Sequence, residues 1–250
     1  LLVEKHEARK VTTYERLAAI EETMVTNDGK EAYAKIEAAL SRLCRQEVKI
    51  TGAGRTDKGV HAFGQVFHFD TDKEFKDITK SINSQLPEDI RIVSCKPVSD
   101  EFHSRYDAKW KHYSYIINTG KFNPIQRNYA YQLGVQLDEE KMQEAAEALV
   151  GTHDFSSFNA TRKDEIEDQV RTIYKIEVKR RGSLVTVDYY GDGFLRYMIR
   201  MMTGALIEAG KGKITAEDIQ NIMEKMDKTA CNYNVPACGL YLIEISYTNF

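Results

Sequence analysis

The sequence predicts an α+β fold, in which helices and antiparallel strands alternate along both halves of the chain. Two observations support this class. Segments with apolar residues at helical spacing are interleaved with short segments of alternating polar and apolar residues, which are typical of strands. Some neighbouring strands are joined by very short turns, such as Arg180–Ser183, and turns of this length join antiparallel strands. Helices and hairpins in each half indicate an α+β architecture.

The first half is organised around one glycine-rich loop. Ile36, Leu40 and Leu43 give the preceding helix its apolar spacing. A short strand is expected to lead into the loop and another to leave it, so the loop lies between two adjacent strands. The predicted elements are a helix over 31–43, strands over 47–51 and 64–70, a helix over 77–85, and strands over 90–97 and 111–118.

The second half repeats this organisation. Asp138, Asp192 and Thr215 are residues that favour helix N-caps, and each precedes an apolar segment with helical spacing. The predicted elements are a helix from 138 to 150, strands over 172–179 and 184–190, helices over 194–209 and 215–226, and a strand over 240–247. The halves are expected to meet near residues 131–138. The predicted division is therefore an atypical segment over 1–30, an N-terminal half over 31–132 that carries the loop, and a C-terminal half over 133–250.

Composition is typical of a globular protein, and 250 residues are enough for one large or two medium domains. Hydrophobic residues make up 42% and charged residues 29%, and no apolar run has the length of a membrane span. The first residues lack the basic-then-apolar pattern of a secretory signal, so a cytoplasmic protein is expected. The scattered cysteines are interpreted as reduced, buried thiols rather than disulfides or zinc ligands; they are Cys44, Cys95, Cys231 and Cys238.

Net charge is −3, which on its own argues mildly against a nucleic-acid partner. The charges are unevenly distributed, however, because acidic residues concentrate in 138–147 and 164–168. Basic residues lie in the segments that carry motifs; they are Arg55, Lys58, Lys109, Lys111, Arg196 and Arg200. A basic cleft in an acidic body is consistent with both observations, and mixed charges that only solvate the surface are the alternative.

The loop Gly52–Ala62 is the strongest candidate for a site. It reads GAGRTDKGVHA, with Asp57 between a nearby arginine and an adjacent lysine. Glycine permits sharp turns and close backbone approach, and a neighbouring cation favours the ionised carboxylate. Asp57 is therefore a candidate nucleophile or base, and an ordinary solvated turn is the alternative. A P-loop would need Lys-Ser/Thr after Gly59, and a dinucleotide-binding loop would need glycine in place of Asp57, so both are excluded.

The segment GAGRTDKGVHAFGQVFHFDT closely resembles the signature of TruA-type tRNA pseudouridine synthases, and further matches follow in order from about Ile36 to Tyr247. In that family, the aspartate of the Arg-Thr-Asp sequence is catalytic. The other matching segments are Phe102–Tyr106 and Lys111–Tyr115, Gly151–Phe158 and Arg171–Ile173, and Phe194–Arg200 and Gly239–Leu242.

The resemblance implies two ferredoxin-like halves that share a mostly antiparallel sheet, the pseudouridine synthase fold. It also implies a homodimer that isomerises uridines at positions 38 to 40 in the anticodon arm of tRNA. Asp57 would be the catalytic residue, as nucleophile or as general base. Tyr113 would stack on the extruded base, although a core tyrosine on a strand is the alternative. The remaining candidate substrate-binding residues are Arg55, Lys58, Arg105, Phe194 and Arg200.

The reaction breaks one bond from ribose to uracil and forms another, with no oxidation and no leaving group. Neither a cofactor nor a metal is therefore expected.

Arg55 and Arg200 would keep Asp57 ionised and hold RNA phosphate, although Arg200 could instead pair with a structural acid. Phe194 would pack beside the base or only in the core.

The rival hypothesis is an inactive RNA-binding protein on the same scaffold. A small-molecule enzyme that binds phosphate through the loop has little support.

Residues 1–30 depart from the family. Its members normally begin with a strand that carries Tyr-Asp-Gly followed by an aromatic residue and Gly-Trp-Gln, whereas the only tryptophan here is Trp110. The segment is rich in charge and helix-like from Tyr14 to Met24. An atypical first strand is therefore expected.

Overall fold

A computed structural model of the chain describes residues 9–13, 17–18, 29–71, 73, 75–160 and 168–250. Contacts divide the chain into two compact units. Unit 1 contains the described residues up to Lys109 together with Leu242–Thr248, and unit 2 contains those of Trp110–Tyr241 together with Asn249–Phe250. Both units combine helices with strands that are mostly antiparallel, which confirms the α+β class. The division of the sequence at residue 132 stays a prediction.

Within its described residues, unit 1 contains two helices and a four-stranded sheet with the strand order β3-β5-β1-β7. A second small sheet pairs β2 with β6. The elements are β1 Arg9–Thr13, β2 Leu17–Ala18, α1 Gly29–Cys44, β3 Thr51–Gly52, β4 His61–Ala62, β5 Phe67–Thr71, α2 Ile78–Asn83, β6 Arg91–Ile92 and β7 Lys96–Pro97.

The N-terminal segment supplies a strand to the centre of this sheet. β1 pairs antiparallel with β5 on one side, from Arg9 opposite Thr71 to Thr13 opposite Phe67, and with β7 on the other. The helix-like interpretation is wrong at Leu17–Ala18, which forms β2, and the rest of Tyr14–Met24 lies outside the described residues. Pairing with neighbouring strands determines the structure here, because strand preference depends on tertiary context.

α1 covers one side of β5 and builds the core of unit 1. Ile36 and Leu40 of the helix are fully buried against Phe67 and Phe69 of the strand. His68, between the two phenylalanines, is also buried although its side chain points to the opposite face of a strand. Burial of one phenylalanine contributes about 1.5–3 kcal/mol, so this contact fixes β5 and the loop that precedes it.

Two predicted strands of unit 1 are shorter than expected. Only the end of the predicted 47–51 strand is a strand, because the amides of Val48 and Ile50 donate to side chains of α1, at 3.0 and 3.1 Å, rather than to a neighbouring strand. The predicted 90–97 strand is interrupted between β6 and β7. The Asn83 side chain bonds both backbone groups of Ile92, at 2.8 Å each, and so replaces a strand partner.

Unit 2 contains a sheet in which β10, β11, β12 and β8 follow one another as antiparallel neighbours, with β9 parallel to β8. The elements are β8 Trp110–Asn118, β9 Tyr131–Gln132, α3 Glu139–Glu147, β10 Gly151–Asp154, β11 Val170–Arg181, β12 Leu184–Gly191, α4 Met198–Gly210 and α5 Ala216–Glu224. The last strand, β13 Leu240–Ser246, begins in this unit and ends in unit 1.

α4 is the buried helix of unit 2. The hydroxyl groups of Tyr189 on β12 and Thr203 on α4 are hydrogen-bonded at 2.7 Å, although both residues are fully buried. At the end of α4, a Cβ on Gly210 would lie 2.7 Å from Cγ of Met142, so the glycine permits close packing of α3 on α4. This packing fixes the position of α4, the helix that carries Arg200.

The predicted start of this helix is wrong. α4 begins at Met198 rather than at Phe194, and Asp192 does not cap it. The Asp192 carboxylate instead accepts a hydrogen bond from the Thr172 amide at 3.0 Å. Tyr197 has φ +63° and breaks the helical path before Met198. The cap at Asp138 is confirmed by its bond from the Lys141 amide at 3.1 Å.

The state of the cysteines and the length of the helices both bear on what the composition predicts. None of the four cysteines, which all lie in the described residues, forms a disulfide; Cys44 and Cys231 are buried as predicted, whereas Cys95 and Cys238 are only half-buried. Burial raises the pKa of Cys95 to about 12 and that of Cys231 to about 11. Among the helices in the described ranges, none combines the length and the apolar character that a membrane span requires.

A cap substitution tests the α5 assignment. The Thr215 hydroxyl accepts from the Asp218 amide at 3.3 Å, and the Asp218 carboxylate accepts from the Thr215 amide at 2.8 Å. Thr215→Ala should lower the free energy of unfolding by about 1 kcal/mol, because a capping bond is lost. Thr215→Ser keeps the hydroxyl and is the control. Equal urea-unfolding midpoints for the two variants would contradict the assignment.

Candidate functional site

The loop that carries Asp57 is closed by a tight turn at its tip. The Val60 amide donates to the Asp57 carbonyl at 3.0 Å, and Gly59 has φ +83°. A four-residue turn with a positive φ at its third position is a type II arrangement, which favours glycine there. The third glycine of the motif therefore orients the backbone that presents Asp57.

The start of the loop is fixed by α1. The Tyr33 hydroxyl donates to the Gly54 carbonyl at 2.5 Å, and the Gln65 side-chain amide donates to the same oxygen at 3.0 Å. Gly52 has no room for a side chain, because a Cβ there would lie 1.8 Å from the Tyr33 hydroxyl oxygen. The tyrosine ring thus occupies the space that the first glycine leaves open. Packing therefore requires glycine at position 52, whereas the accepting carbonyl at position 54 belongs to the backbone and would be present with any residue there.

The end of the loop is fixed by the segment of β13 in unit 1. The amides of Phe63 and Gly64 donate to the Leu242 carbonyl at 2.8 and 3.3 Å. A Cβ on Gly64 would lie 2.2 Å from the Ile243 carbonyl oxygen, so the two backbones touch. The Ala53 amide also donates to the Val66 carbonyl, at 2.8 Å, across the base of the loop. Both ends of the Asp57 segment are therefore held by backbone contacts.

Asp57 itself is half-buried, whereas Arg55 and Lys58 are exposed. A carboxylate in such a position is partly shielded from water and still accessible to a ligand. The two cations beside it suit an anionic partner such as RNA phosphate. Chemically, this arrangement can supply a nucleophile or a general base to a polyanionic substrate.

A second segment of unit 1, residues 102–107, lies beside the start of the loop. The Ser104 hydroxyl donates to the Thr51 carbonyl at 2.7 Å, and the Ser104 amide donates to Nδ1 of His68 at 3.2 Å. Thr51 directly precedes Gly52, so this segment is attached to the strand that leads into the loop. Arg105 extends from it and is exposed.

In unit 2, the structure brings together two of the predicted residues, Tyr113 and Phe194. Their ring centroids lie 5.2 Å apart with an interplanar angle of 77°. Tyr113 is on β8, and Phe194 lies in the segment before α4. A Cβ on Gly191 would lie 3.1 Å from Cζ of Phe194, so this glycine leaves room for the phenylalanine ring. Both rings are half-buried and form an edge-to-face aromatic pair.

Arg200 of α4 is oriented by its own unit. Its Nε donates to the Val235 carbonyl at 2.7 Å, and its guanidinium carbon lies 4.5 Å from the centroid of the Tyr197 ring. Arg196 contacts the same ring, at 5.1 Å. Burial raises the pKa of Tyr115 far above its usual range, and the charge of Arg200 acts in the opposite direction. Tyr197, whose backbone is left-handed, therefore contacts both Arg196 and Arg200 through its ring.

The predicted residues thus form two groups, each within one unit. Unit 1 holds Arg55, Asp57, Lys58 and Arg105, and unit 2 holds Tyr113, Phe194 and Arg200. The sequence interpretation missed the residues that position them; these are Tyr33, Gln65, Ser104, Gly191 and Tyr197. Tyr33 has helical spacing with Ile36 and Leu40, so the sequence places it on the apolar face and gives no local signal that its hydroxyl reaches a loop. In the described parts of the chain, no three histidine, cysteine, aspartate or glutamate side chains are grouped so that they could hold a metal ion.

Comparison with known proteins agrees with the motif. The tRNA pseudouridine synthase family profile matches residues 5–107 and 145–248. A protein named tRNA pseudouridine synthase A from Exiguobacterium sp. (strain ATCC BAA-1283 / AT1b) is 42% identical over 225 residues, which cover 89% of this chain and 91% of the relative. Its namesake from Bacillus licheniformis is 39% identical over 220 residues, 86% of this chain and 89% of the relative. The chain therefore belongs to the tRNA pseudouridine synthase family, as the resemblance indicated.

The packing of Tyr33 on Gly52 provides a test of how the loop is positioned. Gly52→Ala should displace the tyrosine, break its bond to the Gly54 carbonyl and destabilise unit 1 by about 1–3 kcal/mol, because overpacking forces the backbone to move. Tyr33→Ala should also destabilise it. The double variant should lose less than the sum of the two, with a coupling of about 0.5–3 kcal/mol, since the added methyl group then has space.

The test is the free energy of unfolding in urea, measured for the wild type, the two single variants and the double variant. Gly193→Ala is the matched control, because its Cβ would meet Arg171 only at an ordinary 3.5 Å. Strictly additive losses would show that Tyr33 and Gly52 do not act on each other.

Proposed function

We propose that this protein converts uridine to pseudouridine in tRNA, with Asp57 as the catalytic residue. The observation that carries the proposal is the complete Gly52–Ala62 loop, which is fixed at both ends and presents a half-buried carboxylate between exposed cations. Family membership supports the reaction, because the relatives are named tRNA pseudouridine synthase A. A protein that only binds RNA has no need of this carboxylate.

The reaction is an isomerisation. The bond from C1′ of ribose to N1 of uracil breaks, and a bond from C1′ to C5 forms. The proton on C5 leaves and N1 gains a proton, so atoms and electrons balance without an oxidant or a leaving group. Asp57 supplies either the nucleophile that holds the intermediate or the base that removes a proton. The surrounding residues must hold the freed ring while it turns, and exclude water.

The other residues receive roles that follow from their chemistry. Tyr113, supported edge-on by Phe194, offers an aromatic face to an extruded uracil. Arg55, Lys58 and Arg105 are exposed cations that suit the RNA backbone. Arg200 is a cation that suits a carboxylate or a phosphate, and the bond from its Nε to the Val235 carbonyl orients it.

Two finer features are proposed from the resemblance. The target uridines lie at positions 38 to 40 in the anticodon arm, and the active form is a homodimer in which each tRNA contacts both subunits. The cytoplasm is the expected compartment, because tRNA is the proposed substrate. Neither a metal nor a cofactor is expected, because the isomerisation requires neither.

Removal of the carboxylate tests the catalytic role. Asp57→Ala and the isosteric Asp57→Asn should abolish tritium release from tRNA labelled at C5 of uracil, because each removes the charged oxygen. Their Kd for tRNA should stay within about threefold of the wild type, since the exposed cations that bind phosphate remain. Asp70→Ala, which alters an exposed aspartate of β5, is the matched control and should release tritium normally.

The outcomes separate the hypotheses. Tritium release by Asp57→Ala at the wild-type rate would exclude Asp57 as the catalyst. A wild-type protein that binds tRNA tightly but never releases tritium would support the inactive RNA-binding hypothesis instead.

A further inference from the structure

One exposed ring in unit 1 is ordered by its neighbours although it is open to solvent. Tyr106 is 76% exposed, and its ring stacks on His103 with centroids 4.2 Å apart and an interplanar angle of 29°. An exposed tyrosine normally samples several rotamers, and stacking restricts them. Most of the ring surface that His103 leaves uncovered faces water, so it is available to a flat ligand.

The histidine that supports this ring is itself held in place. Its Nδ1 accepts hydrogen bonds from the amides of Arg105 and Tyr106, at 3.1 and 3.2 Å. The His103 amide donates to the Asp107 carboxylate at 2.7 Å, and the Asp107 amide donates to the His103 carbonyl at 3.0 Å. Because Nδ1 accepts from both amides, the neutral ring carries its proton on Nε2. The imidazole orientation is therefore fixed by the backbone of the same turn.

The turn is anchored to the rigid part of unit 1. Ser104 is fully buried, its hydroxyl donates to the Thr51 carbonyl, and its carbonyl accepts from the Tyr247 hydroxyl at 2.7 Å. The buried ring of His68 lies edge-on to His103, with centroids 5.0 Å apart. Thr51 begins β3, which leads directly into the Gly52–Ala62 loop. The Tyr106 ring thus stands on the same support as the Asp57 loop.

The charges around Tyr106 suit a nucleic acid. Arg105 and Lys109 are exposed on the same short segment, and Arg55 and Lys58 are exposed on the adjoining loop. A preordered aromatic face with cations beside it is the arrangement by which proteins bind unpaired nucleotides, since the base stacks and the phosphate is neutralised. A protein partner would gain less here, because protein-binding hot spots lie in packed, desolvated pockets rather than on an isolated exposed ring.

We propose that Tyr106, backed by His103, is a stacking platform for an unpaired base of the RNA substrate, with Arg105 on the neighbouring phosphate. The inference rests on the proposed function, because it assumes that the Asp57 loop acts on RNA. Tyr106 is then a substrate-binding residue that recognises a base other than the one converted.

The test compares the wild type, Tyr106→Ala and Tyr106→Phe by their Kd for tRNA and for a fully paired RNA duplex. Tyr106→Ala should weaken tRNA binding about 5- to 100-fold, because stacking of one base is lost, and should leave duplex binding within about twofold. Tyr106→Phe keeps the ring and should restore tRNA binding to within about twofold of the wild type. Phe122→Ala removes another exposed aromatic ring (66% exposed) and is the matched control.

Three results would overturn the proposal: tRNA binding by Tyr106→Ala within twofold of the wild type, an equal loss of affinity for the duplex, or an equal loss in Tyr106→Phe. Intact tRNA binding by Tyr106→Ala would leave a protein as the remaining candidate partner of the Tyr106 ring. Tritium release by the wild type is measured separately. Its absence would contradict the proposed function, whereas the binding comparison still decides the role of Tyr106.

Discussion

The contact between Tyr33 and the backbone at Gly52–Gly54 is the constraint on which the candidate site depends. Its hydroxyl bonds the Gly54 carbonyl, while its ring fills the space where a side chain of residue 52 would be. A hydrogen bond of this kind contributes only about 1 kcal/mol to stability. Its structural effect is larger, because it ties the loop to α1, the helix that builds the core of unit 1. The conformation of the Asp57 loop is therefore set by the packing of that core.

β5 transmits the same constraint to the other side of the sheet. Phe67 and Phe69 pack into the core with α1, whereas His68 supports the turn that carries Tyr106 through its contacts with Ser104 and His103. One short strand therefore supports the Asp57 loop and the proposed stacking platform at once. This arrangement explains why β5 is buried on both faces over Phe67–Phe69.

Much of the fold can be predicted from the sequence where the signal is local. The apolar spacing of 31–43 and the cap residues Asp138 and Thr215 identify their helices, because periodicity and capping act within a few residues. The bounds of β1 could not be predicted, since its strand conformation depends on pairing with β5 and β7 rather than on its own charged composition. The start of α4 was also missed, because nothing in the sequence around Tyr197 indicates a left-handed residue.

The same distinction applies to the site. Asp57 and its flanking cations could be read directly, because the motif is contiguous and its glycines constrain the backbone. The contributions of Tyr33 and Gln65 arise only when helix and loop meet in space.

The most direct test of the central claim is to map pseudouridine in tRNA after incubation with the protein. Carbodiimide forms an alkali-stable adduct with pseudouridine, which stops reverse transcription one residue before the modified base. The proposed function predicts new stops for positions 38 to 40 with the wild-type protein. If the protein is folded and binds the tRNA but no uridine is converted, the proposed function is contradicted.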